Sequence, residues 1–408
     1  MSESLGGSIG GSIGGSIGGS IGGSIGGSIG GSIGGSIGGS ILSDAYASPL
    51  FAEALVRHRA SAIDLGDLAP MRALPDRSTD NDRIFQWDPW VRSHLVAHEL
   101  LRGIEYHPMS RQRDPDGVPT QPPGLVMTVD GWEGPPATGH RVVMPLVEMR
   151  APPLSVFESQ LPAVLTWAEL REERLPEILA QIDNQHAFWG LLLPIQTDRL
   201  KRTRELLEAA IQFAVFVEMR FKHVLACWRP QELSPQVQPV VTTPGHGALP
   251  SGHCTQSYVA LEVLSALLNL GAGGEGGQRL RTQMERLAER VSTNRVVAGV
   301  HYPVDNLAGR ALGTALGRYF VARCTGAQTC PGVVFDGEQV PGDAPFEPEA
   351  QGLDEHDAAD GRPRPAWYRW LPELPQPLAL TCDGAGELLE PLWTRARGEL
   401  TDIGRRWP

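Results

Sequence analysis

Apolar residues recur at spacings of three and four through the middle of the chain, the pattern of helices that bury one face. The clearest case is residues 197–228, where Leu, Ala, Phe and Val form one continuous stripe. Strands do not alternate with helices in this pattern, which therefore predicts an all-α core of helix packed on helix. The predicted helices cover residues 153–173, 175–193, 197–228, 252–270, 278–297 and 303–322.

The first part of the chain has a different pattern. Residues 6–41 are nine uninterrupted copies of Gly-Gly-Ser-Ile. A segment that is half Gly is a poor helix and a poor strand, because Gly costs conformational entropy and packs nothing. We therefore expect residues 1–42 to be a disordered tail, with a self-associating stripe of Ile as the alternative.

The last part of the chain contains few large apolar residues. Residues 324–371 are rich in Pro, Gly, Asp and Glu, which favours a linker or a surface wrap. An amphipathic segment, residues 386–397, is expected to dock back onto the body.

Residues 106–150 carry many Pro and Gly and no recognisable motif. The predicted divisions are 1–42 (low-complexity repeat), 43–152 (mixed loops and helices), 153–324 (helical core) and 325–408 (Pro- and acid-rich linker and C-terminal wrap).

Charge and composition exclude several classes of function. The net charge of −12 argues against a general nucleic-acid binder. The chain has no apolar run of about 18 residues, and no basic region followed by an apolar stretch at its start, so we expect a cytoplasmic protein without a membrane span. The five cysteines lack metal-ligand spacing and favour reduced thiols, with a Cys324–Cys330 pair as the alternative. The composition is compatible with an oligomer.

The basic residues are nearly all Arg, and only Lys201 and Lys222 are Lys. If the helix continues to about residue 228, Lys222 and Arg229 lie seven apart, close to two turns, and share a face. Pro230 then helps to end the helix. Two cations on one helical edge suit an anion, and the alternative is a surface Lys222 paired with Glu218 at i, i+4.

The stretch "PGHGALPSGHC" is too rich in Gly and Pro to be the interior of a helix or strand. Ser251 is a good N-cap for the apolar helix that follows, and Gly252 lets the backbone approach a ligand. His253 would lie in the first turn, where free N–H groups favour an anion and its imidazole can act as acid or base. The alternative is ordinary helix capping. His246 lies seven residues earlier, and its alternative is a loop His that faces water.

A third motif is "NRVVAGVHYPVDN", residues 294–306. Pro303 suits the first turn of a helix, which places His301 just outside the helix start and Asp305 inside its first turn. Asp305 could accept a proton from one ring nitrogen of His301 and leave the other free as a ligand or nucleophile. The alternative is that Asp305 only complements the helix dipole.

Taken in order, Lys-x6-Arg-Pro, Pro-Ser-Gly-His and Arg-x5-His-x3-Asp resemble the superfamily of type 2 phosphatidic acid phosphatases, bacterial acid phosphatases and vanadium haloperoxidases. The resemblance covers roughly residues 193–324. It departs at Asn294, where the family usually has Ser, although the amide can still hydrogen-bond. The resemblance implies an all-α helical bundle with an oxyanion pocket between helices.

The same resemblance implies the roles of the site residues. Lys222, Arg229 and Arg295 would contact the equatorial oxygens, with Ser251 and the Gly252 N–H beside them. His301 would bond the central atom, and His253 would handle the proton at the opposite apex. One pocket can serve two chemistries, because phosphoryl transfer passes through the five-coordinate shape in which vanadate is stable.

Two branches of the superfamily remain open. Members that oxidise bromide have a second His seven before the acid–base His, as His246 is here, which favours a haloperoxidase that uses vanadate, peroxide and halide. Only 41 residues separate His253 from Arg295, which is typical of the phosphatases. A phosphatase would act on a phosphate ester through a phosphohistidine at His301 and need no cofactor. The missing membrane spans disfavour the lipid phosphatases. A third hypothesis is a non-catalytic scaffold whose working part is the repeat.

Overall fold

The computed structural model describes residues 53–54, 56–58, 81–87, 89–133, 140–183, 185–195, 198–327, 330–353, 364–371 and 388–406. The Gly-Gly-Ser-Ile repeat lies outside these residues, so its predicted disorder stays a prediction. By its internal contacts the chain divides into residues Met1–Leu95 and Val96–Pro408. The sheet, the helical core and the candidate site all belong to the second unit.

Helices make up most of that unit. In chain order the α-helices are α1 (Pro89–Leu101), α2 (Leu154–Trp167), α3 (Arg171–Asp183), α4 (His186–Trp189), α5 (Lys201–Leu225), α6 (Pro230–Leu233), α7 (Gly252–Leu267), α8 (Gly274–Val297), α9 (Pro303–Thr325) and α10 (Leu389–Arg406). The strands are β1 (Ile104–Pro108), β2 (Gly124–Glu133), β3 (His140–Arg150), β4 (Val333–Asp336) and β5 (Tyr368–Trp370).

The prediction of an all-α fold is wrong, because β1 to β5 form a five-stranded mixed sheet in that order. β3 and β4 pair in parallel, and the other neighbours are antiparallel. The strands escaped the sequence pattern for physical reasons. β3 contains Pro145, which is tolerated beside the register shift between Met127 and Thr128 of β2. β4 and β5 are short, and they lie in the Pro- and acid-rich segment that looked like a linker.

Helices α7 and α9 pack closely along three glycines of α9. A Cβ added to Gly313 would lie 2.4 Å from the carbonyl oxygen of Thr255, and one added to Gly309 would lie 2.8 Å from that of Ser251. The N-termini of the two helices therefore meet, and the Ser251 N–H donates to the Asp305 carbonyl oxygen at 2.8 Å. This contact brings the Pro-Ser-Gly-His and His-x3-Asp motifs together.

The C-terminal helix α10 packs against α5, as the amphipathic pattern predicted. Leu389, Leu392, Trp393 and Ala396 of α10 are buried. The Glu399 carboxylate accepts from the backbone N–H groups of Arg202 and Thr203, both at 2.8 Å, and so caps the start of α5 from a distance.

Two further sequence predictions can be compared with the structure. Cys324 and Cys330 are both free thiols, so the reduced form was the correct prediction for this pair. Within the described ranges, the helices are all too short or too polar to cross a bilayer.

Candidate active site

Five segments converge at the start of α7 and α9. Lys222 lies in the last turn of α5, Arg229 begins α6 and Arg295 lies in the last turn of α8. Ser251, Gly252 and His253 open α7, and His301 and Asp305 open α9. The structure thus brings the residues of all three motifs to one place.

Lys222 is buried, with 1 % of its surface exposed. Its Nζ donates to the carbonyl oxygens of Ala248, at 3.1 Å, and Pro250. The alternative of a surface Lys222 paired with Glu218 is therefore wrong, since both side chains are buried. Burial lowers the pKa of Lys222, and the Arg229 charge lowers it further.

The prediction that one helix face carries both Lys222 and Arg229 is also wrong. Helix α5 ends at Leu225, because Ala226 adopts a left-handed conformation with φ of 48°. Lys222 and Arg229 therefore do not share a helical face, and a turn carries Arg229 to the site. Pro230 keeps its predicted role next to Arg229, as the first residue of α6.

Arg229, His301 and Asp305 form a buried chain of contacts. The Arg229 guanidinium lies 3.1 Å from His301 Nε2, and His301 Nδ1 lies 2.9 Å from Asp305 Oδ2. Arg can only donate, so Nε2 carries the lone pair and Nδ1–H donates to the carboxylate. This is the arrangement in which Asp305 holds one nitrogen and leaves the other as ligand or nucleophile.

Burial sets the charge states of this pair. Burial lowers the pKa of His301 well below its ordinary value, and the Arg229 charge lowers it further, which favours the neutral ring. Burial raises the pKa of Asp305, whereas the Tyr302 N–H, which donates to Oδ2 at 2.9 Å, opposes this shift. Asp305 therefore does more than complement the helix dipole.

The start of α7 differs from an ordinary cap. Ser251 is fully buried and its Oγ has no hydrogen-bond partner, so its side chain does not cap the helix. A Cβ on Gly252 would lie 2.6 Å from Glu218 Oε1, which means that Gly is needed here for the Glu218 carboxyl. Burial raises the pKa of Glu218 and favours its neutral form beside this helix terminus.

Sequence reasoning missed Gln181 of α3. Its Oε1 accepts from Arg295, at 3.1 Å, and from Asn294 Nδ2, at 3.0 Å. Its backbone carbonyl accepts from His253 Nε2 at 3.1 Å. The sequence carried no signal for it, because a single Gln on a helix does not indicate which groups it will contact. The Asn294 amide does hydrogen-bond, as its substitution for Ser allowed.

Burial and charge also act on Arg295 and His253. Burial lowers the pKa of Arg295 to about 10. Burial, and then the Arg295 charge, lowers the pKa of His253 well below its ordinary value. The neutral His253 ring donates through Nε2 to Gln181, so its Nδ1 is unprotonated and can accept a proton.

His246 lies against Arg229 rather than facing only water. Its Nδ1 is 3.1 Å from an Arg229 nitrogen and 3.1 Å from the Gly247 carbonyl oxygen. It also lines a cavity of about 670 Å³ whose wall includes Lys222, Arg229 and the half-exposed Trp228. His246 is therefore a partly exposed loop His that contacts Arg229, and not one that faces only water.

The site has the donors of an oxyanion pocket. The charges of Arg229 and Lys222 act on the His301 ring, and the charge of Arg295 acts on His253 at the start of α7. In the part of the chain that the structure describes, no cluster of His, Cys, Asp and Glu could hold a bare metal ion. A buried cationic pocket with a paired His and Asp is typical of enzymes that handle phosphate-like anions.

Comparison with known protein families also points to an enzyme that handles phosphate-like anions. The family model of the PAP2 superfamily matches residues 206–328, which supports the membership that the three motifs predicted. The matched segment contains the site residues of α5 to α9 but not Gln181. A search of curated proteins gave no significant match. Membership supports an enzyme of the phosphatase or haloperoxidase type and does not distinguish the two.

Proposed function

We propose that this protein is a vanadate-dependent haloperoxidase-like enzyme that oxidises halide, with bromide favoured, using hydrogen peroxide. The observation that carries the proposal is the contact between His246 and Arg229. A second His at this position is what the resemblance to bromide-oxidising members requires, and His246 also lies in the wall of the cavity beside the cations.

The residues present fit a bound oxyanion such as vanadate. Ser251 Oγ and Arg295 Nε are buried donors without a partner, and a bound oxyanion would satisfy them. Arg229 and the Gly252 N–H would complete the cradle, with His301 Nε2 as the ligand to the metal. Lys222 would contribute its charge, because its Nζ already donates to the carbonyl oxygens of Gly247, Ala248 and Pro250. When bound, vanadate supplies a Lewis-acidic centre that activates peroxide towards halide.

The side chains of the pocket have separate tasks in this proposal. Asp305 holds the His301 Nδ1 proton, which leaves the lone pair on Nε2, and Arg229 would move its N–H from Nε2 to the anion when the anion binds. The three cations compensate the negative charge of the anion. His253 exchanges a proton at its free Nδ1. His246 Nδ1 lies near both a donor, the Arg229 guanidinium, and an acceptor, the Gly247 carbonyl oxygen. Whether Nδ1 carries the proton is therefore linked to the orientation of Arg229.

The His301 tautomer supports a second candidate function, a phosphatase. The Nε2 lone pair could attack phosphorus directly while the bond to the leaving alcohol breaks. His253 would first take up a proton from water at Nδ1 and then give it to the leaving alcohol. Water would then hydrolyse the phosphohistidine and restore the ring. This reaction needs no bound metal oxyanion.

One experiment separates the two functions. Purified protein is assayed with and without vanadate, for bromide-dependent consumption of peroxide and for hydrolysis of an aryl phosphate. The proposal predicts bromide oxidation only after vanadate addition, inhibited by phosphate and abolished in His301→Ala. Ester hydrolysis without vanadate, together with no peroxide turnover in the loaded protein, would replace the proposal with the phosphatase.

A matched pair of variants tests the role of His246. His246→Phe should retain vanadate and change halide preference or the pH optimum, and His246→Ala should lower bromide oxidation. The control is His223→Ala, because His223 lines the same cavity but is exposed. Wild-type rates, pH profile and halide preference in both His246 variants would contradict the role.

A further inference from the structure

Gln181 contacts two side chains of the site from a helix outside the matched family segment. It is buried, with 1 % of its surface exposed. Its Oε1 accepts from Arg295 and Asn294, and its backbone carbonyl accepts from His253. The carboxamide therefore lies against Arg295, one of the proposed oxyanion donors.

The orientation of this carboxamide is fixed by its neighbours. The Arg295 guanidinium can only donate, so the Gln181 atom that faces it must be the oxygen. Asn294 is oriented in turn, since its Nδ2 also donates to a Glu177 carboxylate oxygen at 3.0 Å, and its Oδ1 faces Arg174 at 3.4 Å. Exchanging O and N of Gln181 would place donors against donors.

It follows that Nε2 of Gln181 carries two N–H groups, and these have no hydrogen-bond partner although the side chain is buried. The adjoining Arg295 has an unpaired donor too, at Nε. Buried unpaired donors are uncommon and destabilising unless something satisfies them. Two of them occur here on two side chains that touch each other.

We infer that the Gln181 amide is a further donor to the bound oxyanion, beside Arg295, while its Oε1 orients the Arg295 guanidinium. The inference rests on the proposed oxyanion site, and the ligand class is the same: phosphate, vanadate or the phosphoryl group of a substrate. A neutral donor suits this position, because it adds a hydrogen bond to the anion without adding charge to an already cationic pocket.

The test is Gln181→Glu, which has nearly the same shape. The carboxylate keeps an oxygen acceptor for Arg295 and Asn294 but replaces both N–H groups with an oxygen that repels the anion. Calorimetric titration with inorganic phosphate and with vanadate should give a Kd weakened about tenfold or more, the effect of losing a hydrogen bond to a charged group.

The matched control is Gln160→Glu in α2. Gln160 is equally buried, but both polar atoms of its amide have a partner, since Nε2 donates to the Ala344 carbonyl at 3.2 Å and Oε1 accepts from the Val304 N–H at 3.0 Å. This variant should lose thermal stability and keep its phosphate Kd. Selective ¹⁵N labelling of Gln provides a direct reading: the Gln181 amide resonances should shift when phosphate is added to the wild type.

The outcomes distinguish this inference from the proposed function. A wild type that binds neither anion contradicts the oxyanion site itself, and with it this inference. A wild type that binds phosphate, with equal affinity in a folded Gln181→Glu and no shift of the Gln181 amide, overturns the inference alone.

Discussion

At the scale of single residues, the pairing of His301 with Asp305 has the clearest chemical consequence. Asp305 Oδ2 fixes the proton on Nδ1, and Arg229 faces the lone pair on Nε2. An Asn in place of Asp305 could offer its N–H group instead of an acceptor and would not compensate a positive charge on the ring. Arg229 would still face the lone pair on Nε2, so the loss would come from the uncompensated positive charge that the ring gains when it reacts.

Asp305→Asn should therefore lower turnover by ~100 to 10,000-fold, the usual contribution of a positioned acid–base group. Both bromide oxidation and ester hydrolysis are measured, so the result does not depend on which activity the wild type has. Asp116→Asn, at an exposed carboxyl, is the control and should leave both rates unchanged. Wild-type turnover in Asp305→Asn would contradict the role given to the pair.

The burial of Lys222 leads to a prediction of how the stability of the protein changes with pH. Burial lowers its pKa in the folded chain from the ordinary 10.5, so between these two values the unfolded chain binds more protons. Stability due to this group therefore rises with pH across that interval. The difference in unfolding free energy between wild type and Lys222→Met should rise from about neutral pH to 10.5, when followed by denaturant titration.

The control for Lys222 is the other lysine of the chain. Lys201 is exposed, and Lys201→Met removes one lysine charge without changing the buried site. Parallel stability curves for wild type and Lys222→Met would contradict the lowered pKa of the buried Lys222.

The residues of the site were predictable where their spacing is local. His301, Pro303 and Asp305 lie within one helix start, so the pattern itself fixes their relation. Gln181 and Glu218 were not predictable as site residues, because each reaches the site through packing of its helix against distant segments. A lone Gln or Glu on a helix carries no local sign of the groups it will meet.

At the scale of elements, most helices of the core were predictable and the sheet was not. α9 begins at Pro303 as predicted, since Pro suits the first turn. α5 ends before the predicted 228, because a left-handed Ala226 leaves no trace in the apolar pattern. β3 and β4 pair although they lie far apart in the sequence, and a pattern read over a few neighbouring residues cannot predict such a pairing.

The close packing of α7 on α9 gives a prediction at this scale. Gly313→Ala places a Cβ 2.4 Å from the Thr255 carbonyl oxygen, so the helices must separate. Overpacking of this kind costs roughly 1–3 kcal/mol of stability, and it should also weaken phosphate binding by moving Ser251 away from His301. Thermal unfolding and calorimetric titration measure the two effects.

Gly398 of α10 offers the control, because an added Cβ meets nothing within 4 Å. Gly398→Ala should leave phosphate binding unchanged and stabilise the protein by about 0.4–1 kcal/mol, since Ala favours a helix. Equal stability in Gly313→Ala and wild type would mean that α7 and α9 are not held at this distance.

At the scale of the whole molecule, the C-terminal segment is part of the folded unit. β4 and β5 extend the sheet, and α10 covers α5 and caps its start through Glu399. Glu399→Ala removes three charge-assisted contacts, to the N–H groups of Arg202 and Thr203 and to the Thr203 hydroxyl. The expected loss is about 1–2 kcal/mol of unfolding free energy by denaturant titration.

Glu390→Ala, at an exposed position of the same helix, is the matched control and should cost much less. If Glu399→Ala were no less stable than Glu390→Ala, α10 would not secure the start of α5, the helix that carries Lys222 to the site.

The central claim is that buried cations and a neutral His301 form a site for one oxyanion. The most direct measurement is the amount of vanadium retained per chain after gel filtration, in wild type and in His301→Ala, with and without competing phosphate. Our account predicts stoichiometric vanadium in the wild type, displaced by phosphate and lost in His301→Ala. Wild-type protein that retains no vanadium and whose melting temperature responds to neither anion would contradict it.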